Sequence, residues 1–122
     1  MSTLGQPKVL VVEEDPALSD LIRSILLYEA EVDIASDGRQ GLDHLRRKTF
    51  DAVISEIDLP IMDGIDMYIQ ALRLGVAPRG KYIFLTASLR PDYRLFLEMQ
   101  KVTVLRKPAS ITQIRQAVFD GS

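Results

Sequence analysis

Apolar residues Val9 to Val12 form an unbroken run, which predicts a central strand over 8–12 buried on both faces. Asp15-Pro16 predicts a helix start, with Asp as the cap and Pro at the first helical position. Leu18, Leu21, Ile22, Ile25 and Leu26 then recur at helical spacing as an expected buried stripe, with the helix ending near Tyr28 to Ala30. Glu31-Val-Asp-Ile-Ala35 alternates polar and apolar, the pattern of an edge strand with one exposed face. Asp37-Gly38 opens a second helix with a narrow apolar face of Gly41, Leu42 and Leu45. Its basic end, Arg46-Arg47-Lys48, complements the helix dipole and reads first as a solvated helix end, with a binding patch as the alternative.

A third strand, near 51–56 with its buried part from Ala52 to Ser55, delivers Glu56 to its carboxyl end ahead of a turn-rich loop carrying Pro60 and Asp63-Gly64. Ile65, Tyr68, Ile69 and Leu72 stripe a third helix that stops at Gly75. Pro78-Arg-Gly80 reads as a turn before a strand over 81–86, which ends in Thr86 and the small residues Ala87 and Ser88. A fourth helix from Pro91 to Gln100 turns Tyr93, Phe96 and Leu97 inward, and a last strand near 102–106 leads into Arg106-Lys107-Pro108. Ser110 with Gln113 makes a capping-box pattern at the start of a fifth helix, whose Ile111, Ile114 and Val118 are expected to face inward.

Five strands alternating with five helices argue for an α/β domain, a parallel sheet covered on both faces. A length of 122 residues suits one core and not two. Hydrophobic and charged fractions of 47% and 26% are those of an ordinary soluble protein. A net charge of −2 gives no pull toward nucleic acid, so no direct nucleic acid binding is expected. The chain lacks cysteine, which excludes disulfides and thiolate metal sites. It shows no signal peptide and no membrane-length apolar run, so a cytoplasmic protein or piece of one, with no membrane partner, is expected. His44 is the only histidine, falls among polar positions and is expected to be exposed, with no second histidine for a metal or catalytic set.

Four strands end in functional groups: Glu13-Glu14, Glu56, Thr86 and Lys107. Singly, each has a bland explanation as a solvated loop residue. Together they place three acids, a hydroxyl and an ammonium on the edge where α/β sheets gather their chemistry. Clustered carboxylates repel one another unless a cation compensates, and Mg²⁺ or the Lys107 ammonium would serve.

Val-Leu-Val-Val-Glu-Glu-Asp-Pro, Ala-Ser-Asp-Gly, Asp-Ala-Val-Ile-Ser-Glu-Ile-Asp-Leu-Pro-Ile-Met-Asp-Gly, Phe-Leu-Thr-Ala and Arg-Lys-Pro, in this order, resemble the receiver domain of response regulators, the CheY-like module of two-component signalling. The resemblance runs from Lys8 to about Phe119, leaving 1–7 and 120–122 as short tails. It implies a flavodoxin-like, three-layer α/β/α sandwich with strand order 2-1-3-4-5. It further implies Mg²⁺ held by Glu13, Glu14 and Glu56, a phosphoacceptor at position 56 fed by a histidine kinase, phosphoryl oxygens bound by Thr86, Ala87 and Lys107, and a switch aromatic at position 104. The implied partners are the kinase or another signalling protein, and an output domain or second copy on the face of the fourth helix, fifth strand and fifth helix.

Three departures qualify that resemblance. Glu56 stands where the family has Asp, Glu13 and Glu14 both fill the acidic pair, and Val104 replaces the aromatic. Glutamate moves the carboxylate outward by roughly 1.3 Å, one C–C step. Misplacement by about 1 Å can cost on the order of 100-fold in a reaction governed by positioning. The lengthened carboxylate is expected either to reach Lys107 or Thr86 and fix one conformation, or to form part of a resized Mg²⁺-dependent site. Valine is stiff and small and cannot swing as an aromatic does. Asp58 is a weaker substitute acceptor, two residues on and away from Lys107. Three readings follow: an atypical receiver that signals by protein–protein interaction without being an enzyme; a working phosphoacceptor with a resized site; and, remotely, a small flavodoxin-like cofactor binder. The last lacks a Gly-rich phosphate loop and a nucleophile–histidine pair.

Overall fold

A computed structural model describes residues 5–87 and 89–120, so Ser88 and the ends of both tails lie outside the described residues. The chain alternates β1 (Lys8–Val12), α1 (Pro16–Leu26), β2 (Glu31–Ala35), α2 (Gly38–Arg47), β3 (Ala52–Ser55), α3 (Gly64–Leu74), β4 (Lys81–Thr86), α4 (Pro91–Glu98), β5 (Thr103–Arg106) and α5 (Ile111–Phe119). The strands form one sheet in the order β2-β1-β3-β4-β5, with every pairing parallel. This is the flavodoxin-like α/β/α sandwich.

The two-residue period of the strands divides the core. Leu10, Val12, Val53 and Phe84 point to one face and meet Leu42 and Leu45 of α2, Met67, Tyr68 and Ala71 of α3, and Leu97 of α4. Val9, Val11, Ile54, Ile83 and Leu85 point to the other and meet Ile22 and Leu26 of α1 and Ile114 of α5. Val9 to Val12 are completely buried, as a central strand covered on both sides must be. The caps also follow the chemistry of their residues. Asp15, Asp37, Asp63 and Ser110 each accept a backbone N–H from the first turn of the following helix, and Ser110 with Gln113 completes the capping box.

Several expectations shift. The α1 helix ends at Leu26, short of Tyr28–Ala30, because the chain must drop into β2, where the Glu31 N–H donates to the Pro7 carbonyl at 2.9 Å. The α4 helix ends at Glu98 and tightens through Met99 and Gln100, whose side chain accepts from the Tyr68 hydroxyl at 2.9 Å. β3 covers Ala52–Ser55, the part expected to be buried, while β5 begins at Thr103, one residue later than expected. Leu21, Leu72 and Ile111, expected inside, are 52%, 50% and 59% exposed. Each helix touches the sheet along a narrower line than its apolar stripe: Ile22 and Leu26 carry α1, Met67, Tyr68 and Ala71 carry α3, and Ile114 carries α5. His44, expected exposed, is half-buried, edge-on to Phe50 and 3.7 Å from the Asp33 carboxylate.

Candidate functional site

The carboxyl edge of the sheet is set by β1, β3 and β4, whose last residues lie side by side. Val12 pairs with Ser55 and Ser55 with Phe84, so the loops that follow emerge together. The Glu56 N–H continues the ladder by donating to the Val12 carbonyl at 3.0 Å, and the Lys107 N–H donates to the Thr86 carbonyl at 2.9 Å. These backbone bonds bring position 56 and position 107 to the same pocket.

At its centre the Lys107 ammonium bridges two buried carboxylates. It donates to Glu13 Oε1 at 2.9 Å and pairs with Glu56 Oε1 at 2.7 Å. The second oxygen of each acid is also occupied. Glu13 Oε2 accepts from the Asp15 N–H at 3.0 Å. Glu56 Oε2 accepts from the N–H of Ile57 at 2.6 Å and of Asp58 at 3.3 Å. Partial burial pulls the Lys107 ammonium toward neutrality, but the hydrogen bonds and charges of Glu13 and Glu56 outweigh it, and its pKa lies above the ordinary lysine value. Thr86 is buried beside this bridge at the end of β4, while Ala87 is exposed.

The loop after Glu56 is clamped by two glycines. A Cβ on Gly64 would lie 2.1 Å from the Glu56 carbonyl oxygen, and one on Gly38 would lie 2.0 Å from that of Met62. Their N–H groups donate to Ile57 and Met62 carbonyls at 2.8 and 3.0 Å. Between the clamps the chain makes a three-residue turn, with the Met62 N–H donating to the Pro60 carbonyl at 2.7 Å across Ile61. Ile61 has φ of 71°, a strained conformation for a β-branched residue.

Of the expected site residues, the structure brings together Glu13, Glu56 and Lys107, with buried Thr86 joined through its carbonyl to the Lys107 N–H. It does not bring in Glu14 or Asp58, both exposed. The expected convergence of three acids is thus corrected to two. Among the described residues no three acidic or histidine side chains gather in a group able to hold a metal ion. As arranged, Glu13 and Glu56 do not fit Mg²⁺: a cation already bridges them, and their remaining oxygens are turned to backbone N–H groups. Val104 is half-buried on β5 and borders a cleft of about 510 Å³ with Leu89, Leu97 and Val102. The periodicity gave no sign of two features. One is the backbone seat of the Glu56 carboxylate. The other is an apolar cleft of about 500 Å³ between α1 and α5, where Leu21 and Ile111 line a wall next to Lys107.

A parallel sheet in this order, with carboxylates and a lysine converging on its carboxyl edge, defines a receiver-type module. The chain belongs to the response regulator receiver domain family, whose profile it matches over residues 9–119. It is similar to the transcriptional regulatory protein CutR of Streptomyces coelicolor, with 35% identity over 109 residues, 88% of this chain and 49% of CutR. It is also similar to an uncharacterized 14.6 kDa protein of Leptolyngbya boryana, with 34% identity over 77% of this chain and 72% of that protein. Sensor histidine kinase TmoS of Ectopseudomonas mendocina matches with 28% identity over 93% of this chain but 12% of TmoS. The chain thus spans about half of CutR or less of such longer relatives. Among solved structures it is similar to a CheY-like receiver domain protein from Methanospirillum hungatei, with a TM-score of 0.84, 25% identity, and coverage of 92% and 90% of the two chains. The receiver domain of sensor histidine kinase PA1611 from Pseudomonas aeruginosa has the same fold, with a TM-score of 0.80, 23% identity, and coverage of 93% and 98%. That domain was solved with a magnesium ion coordinated in its active site cleft.

Proposed function

We propose that this receiver is atypical: it works as a cytoplasmic, non-enzymatic signalling module whose output is protein–protein interaction, without phosphorylation at position 56. The observation that carries the reading is the Glu13–Lys107–Glu56 bridge, at 2.9 and 2.7 Å. Phosphoryl transfer needs a carboxylate free to attack and cations free to receive the charge that gathers on the transferred group. Here the acceptor-position carboxylate and the ammonium neutralise each other, and the second Glu56 oxygen is held by its own loop. The longer side chain supports a site already set in one conformation. Val104 supports the same view, since it is too small and stiff to couple the site to the far face by a ring swing. Partners, a kinase or other signalling protein, an output domain or a second copy, engage the face of α4, β5 and α5. The described helices include none long and apolar enough to cross a membrane.

The test is treatment with acetyl phosphate and Mg²⁺ followed by intact-mass measurement. The wild type is expected to gain no phosphoryl mass, and Glu56→Asp to gain it in part, because Thr86 and Lys107 are retained while Glu13 still crowds the position. A phosphoryl group on the wild type, mapped to Glu56 or Asp58, establishes instead the working phosphoacceptor with a resized site.

A further inference from the structure

The basic run at the end of α2 lies at the other end of the sheet from Glu56 and has no part in that site. We propose that it forms one side of a second binding site, for a compact oxyanion bearing at least two negative charges, in the cleft between the C-terminal ends of α2 and α3. The cleft has a volume of about 380 Å³ and is lined by Arg46, Arg47, Lys48 and Thr49 from one side and Val76 and Arg79 from the other. That volume falls within the range of small-ligand pockets, roughly 300–1,000 Å³.

The helix dipole alone accounts for cations in the last turn of α2. It does not account for Arg79, which comes from the α3–β4 connection some thirty residues later and is held in place by Asp51 at 3.0 Å. Two separate segments therefore contribute arginines to the lining of one concavity. Charge decides whether an anion gains by entering. Lys48 is matched by Asp33 at 3.0 Å and Arg79 by Asp51, whereas among the described residues Arg46 and Arg47 form no ion pair. The two helix ends bring about half a negative charge each. The four cations, less two carboxylates and these partial charges, leave a surplus of about one positive charge. No acidic side chain lines the cleft among the described residues. Guanidinium forks suit oxyanions because two parallel N–H groups match two oxygens, and the Thr49 hydroxyl adds a neutral donor.

Diphosphate and tricarboxylate share this chemistry, so titration calorimetry at low ionic strength is run with sodium pyrophosphate and, separately, with sodium citrate. Saturable binding with one site per chain is expected for at least one of them, and the tighter names the source. An Arg46→Ala/Arg47→Ala double change, at two exposed positions, is expected to weaken that binding at least tenfold while the circular dichroism melt is unchanged. Arg79→Gln is expected to weaken it as well, and Arg47→Lys to weaken it less than Arg47→Ala. Binding of neither anion, or binding unaltered by the double change, overturns the proposal. If the double change alters the melt, the result with Arg79→Gln decides. Glu56→Asp leaves this cleft untouched, so neither outcome bears on the phosphorylation test.

Discussion

Without the Lys107 side chain, Glu13 and Glu56 would face each other across the pocket with no cation between them, both buried. Breaking a buried ion pair by deleting one partner costs roughly 3–5 kcal/mol, because the remaining charge stays desolvated. Lys107→Met is therefore expected to lower unfolding stability by about 3 kcal/mol at neutral pH, read from urea denaturation. In the wild type the bridge is lost at high pH. The ammonium's pKa is raised in the fold, so its contribution is complete below the ordinary lysine value of about 10.4 and is lost as pH climbs through the raised value. A Lys107→Met variant as stable as the wild type at pH 7 would mean that the bridge contributes nothing. The same bridge sets the metal response. Mg²⁺ must displace an ammonium held by two carboxylates, so added MgCl₂ should leave the melting temperature unchanged. A rise that disappears in Glu56→Ala would favour the resized site. Contact between a lengthened Glu56 and Lys107 was legible from side-chain reach and charge. Which of two adjacent acids turns inward was not. That choice is made by the β1–α1 loop, where the Glu13 N–H donates to the Ala35 carbonyl at 2.9 Å, and hydropathy carries no trace of such a bond.

At the scale of elements, the β3–α3 loop stores strain that the helices around it enforce. Gly38 and Gly64 let two backbones approach this loop more closely than any Cβ permits, and the turn between them leaves Ile61 at positive φ with 83% of its surface exposed. A strained residue of this kind costs of order 1–3 kcal/mol, and an exposed side chain returns little of it by packing. Ile61→Gly relieves the strain but enlarges the unfolded ensemble by roughly 0.5–1 kcal/mol. A net stabilisation of about 1 kcal/mol is expected, checked by the shift in denaturation midpoint; destabilisation would mean that the side chain is needed where it stands. The number, type and order of elements were legible because strand period and helix caps are written locally. The burial of individual stripe residues was not, since it depends on where each helix crosses the sheet. Leu21 and Ile111 occupy apolar phases of their helices yet border the α1–α5 cleft.

Considered as a whole, the molecule presents its acids and its best-fixed cation at the carboxyl edge, while α4 and the turn that follows it carry exposed apolar residues. Leu95 of α4 and Met99, just past its end, are 65% and 78% exposed, and Arg94, Glu98 and Arg106 edge the cleft between α4 and β5. Exposed apolar side chains bordered by charges of both signs are what a self-complementary contact needs, since each arginine can meet the glutamate of a second copy. If this face joins two copies, sedimentation velocity should show a concentration-dependent dimer, and Leu95→Glu with Met99→Glu should abolish it. The far end offers the control. Arg46→Glu with Arg47→Glu lies on α2 and should leave association as it was. Dissociation caused by the α2 change, with the α4 change silent, would move the interface to the other end of the molecule. A wild type that stays monomeric up to about 1 mM, a concentration matching a binding free energy of only about −4 kcal/mol, would leave the face to an output domain or another protein. The same Leu95 and Met99 substitutions would then be tested for loss of that partner.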